Sequence, residues 1–164
     1  MPLNIIEYES VKYLSFQAKG NAAKFIIPFA KEVCVGEGYD IGYCKEEWKL
    51  PGANGIDIGD GRGFHANLLP EGQVDYIFSS HCLEHVDNWV QTLEYWVSKI
   101  KKGGCLFLYL PDYSQTYWRP WNNRKHINVM NPQYIQDLLK SKGCVNIFVS
   151  GVDLNNSFTI VCEV

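Results

Sequence analysis

Cys105 to Leu110 (CLFLYL) carries no charge and no polar alternation. A strand with one wet face alternates apolar and polar residues, whereas a strand covered on both faces reads as a continuous apolar run. Lys102-Gly103-Gly104 precede the run and Pro111 stops it. Such a strand belongs in a mostly parallel sheet with helices on both sides, so a layered α/β fold is expected. The rest of the chain agrees. Gly36–Gly42, Asn54–Ile58 and Val74–Ser79 read as further strands. Ala22–Val33 reads as a helix with a kink or break at Pro28, and Val86–Lys101 has helical apolar spacing, with Asp87 as the expected cap. Asn131-Pro132 opens a third helix that ends before Gly143. Val145–Val149 and Phe158–Glu163, joined through Asp153–Asn156, form an expected C-terminal hairpin.

The chain's 164 residues suit one domain, divided here into an N-terminal helical segment (1–35) and a core (36–164). Lys plus Arg is 15 and Asp plus Glu is 18, a balance opposite to that of proteins that live on nucleic-acid phosphates. No apolar run approaches the roughly 20 residues of a membrane span, and the first residues lack a signal-peptide pattern, so a cytoplasmic protein is expected. The six cysteines never form C-x-x-C and read as reduced thiols.

Three constellations carry chemistry. The first is Gly38-Tyr39-Asp40-Ile41-Gly42 with Gly55-Ile56-Asp57-Ile58. An acid-Gly strand end lets backbone approach a ligand, and a second strand ending in Asp offers a carboxylate to ribose hydroxyls. The other reading makes Asp40 and Asp57 turn residues. The second constellation runs Asp75…Ser79-Ser80-His81-Cys82-Leu83-Glu84-His85…Lys102-Gly103-Gly104.

These residues resemble the class I S-adenosylmethionine-dependent methyltransferases, close to the small-molecule group whose fourth strand runs into "LEH". The resemblance spans about Gly20 to Val164. It implies a Rossmann-like, mostly parallel seven-stranded sheet with a C-terminal antiparallel hairpin strand, S-adenosylmethionine as cofactor and a small-molecule acceptor such as a sugar or another metabolite. It also implies site residues. Asp40 and Gly42 would lie beside the methionine part of the cofactor and Asp57 at the ribose. Ile58 would flank the adenine, with Asn67 and Leu68 in the adenine-side loop after the third strand. Ser79, Ser80 and His81 would line the inner face. The sequence departs from the family where Tyr43-Cys44-Lys45 replace the further glycines of the first motif. Only residues 43–56 separate Gly42 from Asp57, so the first crossover helix is expected to be short or missing. A cofactor pocket left open there would be covered by a partner subunit or by the N-terminal segment, through Gln17 and Asn21. A homo-oligomer stays open.

His81-Cys82-Leu83-Glu84-His85 is also H-x-x-E-H, the inverted zinc-protease signature, which on a helix would set His81 and His85 around zinc with Glu84 as base. The preceding strands argue against that context, and no metal is expected. Outside it, His85 reads as backbone-bonded and Glu84 as a cap for local N–H groups. The third constellation, Pro111–His126, is long, aromatic and basic, and reads either as a lid over the acceptor or as a surface loop anchored by Trp118 and Trp121. His81 and His126 are the candidate catalytic bases, ahead of Asp112 and Tyr113. The alternative function is a binding protein that keeps the fold without the chemistry.

Overall fold

The computed structural model describes residues 2–58 and 61–164. Eight strands and three α-helices follow in the order β1 (Ile5–Tyr8), β2 (Val11–Leu14), α1 (Ala22–Val33), β3 (Gly38–Ile41), β4 (Asn54–Ile56), β5 (Val74–Ser80), α2 (Trp89–Lys99), β6 (Ile100–Pro111), α3 (Pro132–Ser141), β7 (Val145–Val149) and β8 (Ser157–Glu163). The main sheet has the order β4-β3-β5-β6-β8-β7. Its first four strands are parallel, while β8 runs antiparallel to both β6 and β7. This is the α/β Rossmann-like architecture with its C-terminal hairpin. Central β6 is buried from Cys105 to Pro111, as the apolar run requires.

Among the described residues the sheet has six strands, where seven were expected. The missing one is the third strand expected before Asn67. Between β4 and β5 the described residues form only the isolated His65↔Leu68 bridge. Gly61, Gly63 and Gly72 take positive φ there and Pro70 has no N–H, features that disfavour a continuous strand among the described residues. The first crossover also lacks an α-helix, as expected. It contains one 3-10 turn, Glu46–Trp48.

Two apolar cores lie on opposite faces of the sheet. One packs α2 and α3 around Trp96, Leu106, Leu108 and Ile160. The other packs α1 and β2 around Phe16, Phe78, Phe107 and Tyr109. Helix α1 begins where Asn21 accepts from the Lys24 N–H and carries Pro28 within it. Helix α3 begins where Asn131 accepts from Tyr134 N–H, with Pro132 in its first turn. Helix α2 starts later than its apolar spacing suggested. Its N-cap is Asn88, in left-handed conformation, and Asp87 does not cap it. The segment 1–35 is not wholly helical. A two-strand hairpin, β1–β2, precedes α1 and turns at Glu9 and Ser10, both at positive φ. Gln17 is buried beneath it, accepting from Leu14 N–H and donating to Ser150 and Asp153. It therefore fixes the hairpin to the sheet and does not reach over the strand ends.

Candidate active site

At the carboxyl ends of β3, β4 and β5 lies a cleft of about 510 Å³, within the usual size of small-molecule sites. Ile41, Gly42, Ile56, Asp57 and Ile58 form one wall, and His81, Cys82 and His85 another. Ala66 and Asn67 close a third side. In open α/β sheets ligands sit outside these strand ends. A hollow of about 420 Å³ at the opposite end, around Asp75, Lys101 and Gly103, lies away from them.

The glycine corner has a steric reason. Gly42 has φ of +82°, and a Cβ there would come within 2.5 Å of the Cys82 Cβ and 2.6 Å of its Sγ. Gly42→Ala is expected to cost about 1–3 kcal/mol and to weaken ligand binding in the cleft. A thermal melt alongside a calorimetric titration checks both. The Gly42 N–H is already used, donating to Ile56 O at 2.8 Å.

Asp57 stands at the end of β4, half-buried, and its Oδ1 accepts from Ile58 N–H at 2.8 Å. Ile58 is 87% exposed and presents an apolar shelf beside it. Helix α2 holds the facing loop from behind. Trp96 Nε1–H donates to Ala66 O at 2.7 Å, Tyr95 Oη accepts from Leu69 N–H at 3.1 Å, and Thr92 Oγ1 donates to Asn67 Oδ1. This bracing replaces the missing third strand, and no sequence motif signalled it.

Of the residues carried over by resemblance, Gly42, Asp57, Ile58, Asn67 and His81 line the cleft. Asp40, Leu68, Ser79 and Ser80 do not. The buried Asp40 carboxylate turns to the other face of the sheet and accepts from Leu50 N–H at 2.7 Å. Burial pushes it up to about 7, against the lowering effects of Leu50 N–H and Lys49. Ser79 donates to Ile41 O at 2.9 Å inside the sheet. Leu68 lies in the exposed turn bonded to His65.

His81 follows β5 at φ +50°, a strained conformation for a residue with a Cβ. Its Nε2 meets Ser157 Oγ at 3.1 Å, and its Nδ1 lies 3.4 Å from Glu84 Oε1. Glu84 is fully buried, within the 3-10 turn Leu83–His85. The zinc-protease reading required a helix here, and this turn removes it. Glu84 is not a cap for N–H groups either, since neither carboxylate oxygen has a hydrogen-bond partner. Instead, three imidazoles surround Oε1: His81, His85 Nε2 at 3.6 Å and His126 Nε2 at 4.0 Å. His85 Nδ1 bonds Lys125 O, the backbone bond expected of it. His126 is buried, stacks on Trp118 at 5.0 Å and lies outside the cleft wall. Burial holds its imidazole below the ordinary range, opposed by Glu84 and reinforced by His85 and His81. Cys82, pushed up to about 12 by burial, stays a thiol and is no thiolate nucleophile. Trp118 packs on His126 and His81, while Trp121 is 70% exposed and anchors nothing on the sheet.

A β4-β3-β5-β6 parallel sheet closed by an antiparallel hairpin, with an acid, a glycine corner and an apolar shelf at its strand ends, defines a protein of the class I methyltransferase type. The chain belongs to the family described as methyltransferase domain, whose model matches residues 18–148. It is thus an S-adenosylmethionine-dependent methyltransferase. Among solved structures it is similar to a SAM-dependent methyltransferase from Archaeoglobus fulgidus, at 17% identity and TM-score 0.61, covering 92% of this chain and 95% of that one. It is similar also to an S-adenosylmethionine-dependent methyltransferase from Mesorhizobium loti, at 13% identity and TM-score 0.61, covering 87% and 98%. At these identities the likeness concerns the fold. No curated protein matches the chain. Among the described residues no helix is long and apolar enough to cross a membrane.

Proposed function

We propose that this methyltransferase acts on a small-molecule acceptor, such as a sugar or another metabolite, with the donor held in the cleft at the ends of β3 and β4. The observation that carries this reading is the placement of Asp57 beside Gly42 and Ile58 in that cleft. The residues present fit the donor. Asp57 offers a carboxylate to a ribose diol, Ile58 and Ala66 offer apolar surface to adenine, and the Gly42 corner, packed against Cys82, brings backbone to the cleft wall beside the methionine end. When bound, S-adenosylmethionine supplies an electrophilic sulfonium methyl. The protein's part is to orient donor and acceptor in line and to exclude water. His81, which lines the cleft with its Nε2 shared with Ser157 Oγ, is the candidate base for an acceptor hydroxyl or amine. His126 acts from behind, through Glu84 and Trp118. Tyr117 and Trp121, both exposed on the 112–130 loop, offer ring faces on which a sugar can stack.

Calorimetric titration with S-adenosylhomocysteine tests the donor assignment. Micromolar binding is expected, and Asp57→Ala is expected to weaken it by about 1.5–3 kcal/mol, the usual worth of hydrogen bonds to a charged group. Equal affinity in the two proteins removes Asp57 from the site.

A further inference from the structure

Glu84 poses an electrostatic problem that the methyl-transfer reading leaves open. Its carboxylate is fully buried and both oxygens lack a hydrogen-bond partner. A buried carboxylate without a partner is costly, and chains retain one where a cation meets it. The surrounding imidazoles sharpen the point. His85 Nδ1 bonds a backbone carbonyl, so it carries the hydrogen, and the Nε2 of the neutral ring then presents a lone pair. That lone pair faces Glu84 Oε1 at 3.6 Å, a contact between two electron-rich atoms. A proton or a metal ion between them would turn that contact into an attraction. His126 Nε2 faces the same oxygen at 4.0 Å. The ligand atoms of Glu84, His85 and His126 all lie within 4.8 Å of one another.

We propose that Glu84, His85 and His126 bind a divalent transition-metal ion. Two ligands of a tetrahedral ion with bonds near 2.1 Å stand about 3.4 Å apart, shorter than the 3.6 and 4.0 Å seen here, so His85 and His126 would close inward on the ion. One carboxylate with two imidazoles suits zinc, iron, cobalt or nickel better than magnesium or calcium, which prefer oxygen ligands alone. The bond from His85 Nδ1–H to Lys125 O is the outer contact that metal-binding histidines make, fixing the tautomer that leaves Nε2 to the metal. His81 Nδ1, 3.4 Å from the same Glu84 oxygen, stands beside the set as a further donor. His81 and His85 both line the cleft, so the ion belongs to the cleft wall and not to an isolated structural pocket. This inference rests on the proposed function only in making the ion part of the acceptor side. The site itself can be tested without donor or acceptor.

The experiment is a titration of chelator-treated protein with cobalt(II), read by its visible ligand-field absorption and by competition with zinc(II). One saturable equivalent is expected. Glu84→Gln and His85→Gln are each expected to weaken binding more than tenfold. His126→Asn is expected to do the same while leaving S-adenosylhomocysteine affinity within twofold, which shows that this variant is folded. Absence of saturable cobalt binding, or binding unaltered in His85→Gln and His126→Asn, overturns the proposal and assigns a proton to the gap between His85 and Glu84. The two readings fail separately. Metal binding without S-adenosylhomocysteine binding overturns the donor cleft alone, and the converse overturns the metal site alone.

Discussion

Trp96→Ala is expected to destabilise the protein by about 3–5 kcal/mol, the usual range for deleting a buried tryptophan. Trp96 has no solvent exposure and sits in the centre of the core between α2 and the sheet. For a chain of this size that loss corresponds to a fall of roughly 6–20 °C in melting temperature. The residue has a second role that a melt alone does not detect. Its Nε1–H holds Ala66 O, and Ala66 lines the cleft proposed for the donor. Trp96→Phe keeps most of the apolar volume and removes that donor. It is expected to cost about 1–3 kcal/mol of stability and to weaken S-adenosylhomocysteine binding as well. If the Phe variant binds with unaltered affinity, the bracing of residues 66–69 by α2 is structural and not part of donor recognition.

The second large effect is a pH dependence. Asp40 is 2% exposed, and its carboxyl is raised from 3.8 to about 7 by burial. Between pH about 4 and about 7 the folded chain holds a proton that the unfolded chain has released. Stability from this group therefore falls as pH rises through that window and is level above it. The full difference is up to about 4 kcal/mol. Asn in place of Asp40 cannot ionise and still offers an oxygen to Leu50 N–H. Wild-type melting temperatures at pH 5 and pH 8 are expected to differ, with the lower value at pH 8, and Asp40→Asn is expected to narrow the gap. A gap of unchanged size would trace the dependence to other groups.

The parts of this fold that could be read from sequence are those whose signals are local. The CLFLYL run becomes a continuously buried stretch of β6, and Asn131-Pro132 starts a helix because a side-chain acceptor and a ring-fixed φ both act within one turn. Hairpin β1–β2 was not legible because its turn is Glu9-Ser10, without the Gly or Asn that normally marks two residues at positive φ. The seventh strand was inferred from the resemblance, and the local residues, Gly61, Gly63, Pro70 and Gly72, overrule it. At the site, Asp57 and Gly42 were legible because each closes a strand. Asp40 was misplaced because strand alternation sends its side chain to the face opposite that of Ile41. The convergence of His126 on Glu84 was invisible to spacing: the two are joined only by the path of the 112–130 loop, through Ile127 N–H and Asn128 N–H donating to Glu84 O.

The position of β8 has a consequence for how the chain is made. It follows every other described strand in sequence, yet lies between β6 and β7. During vectorial synthesis β6 leaves the ribosome with one parallel neighbour and a bare apolar edge, and β7 appears with nothing to pair with. Neither is satisfied until residues 157–163 arrive and bond to both sides at once. The nascent protein thus carries this apolar edge from the completion of β6 until β8 emerges, and it closes that edge in a single step.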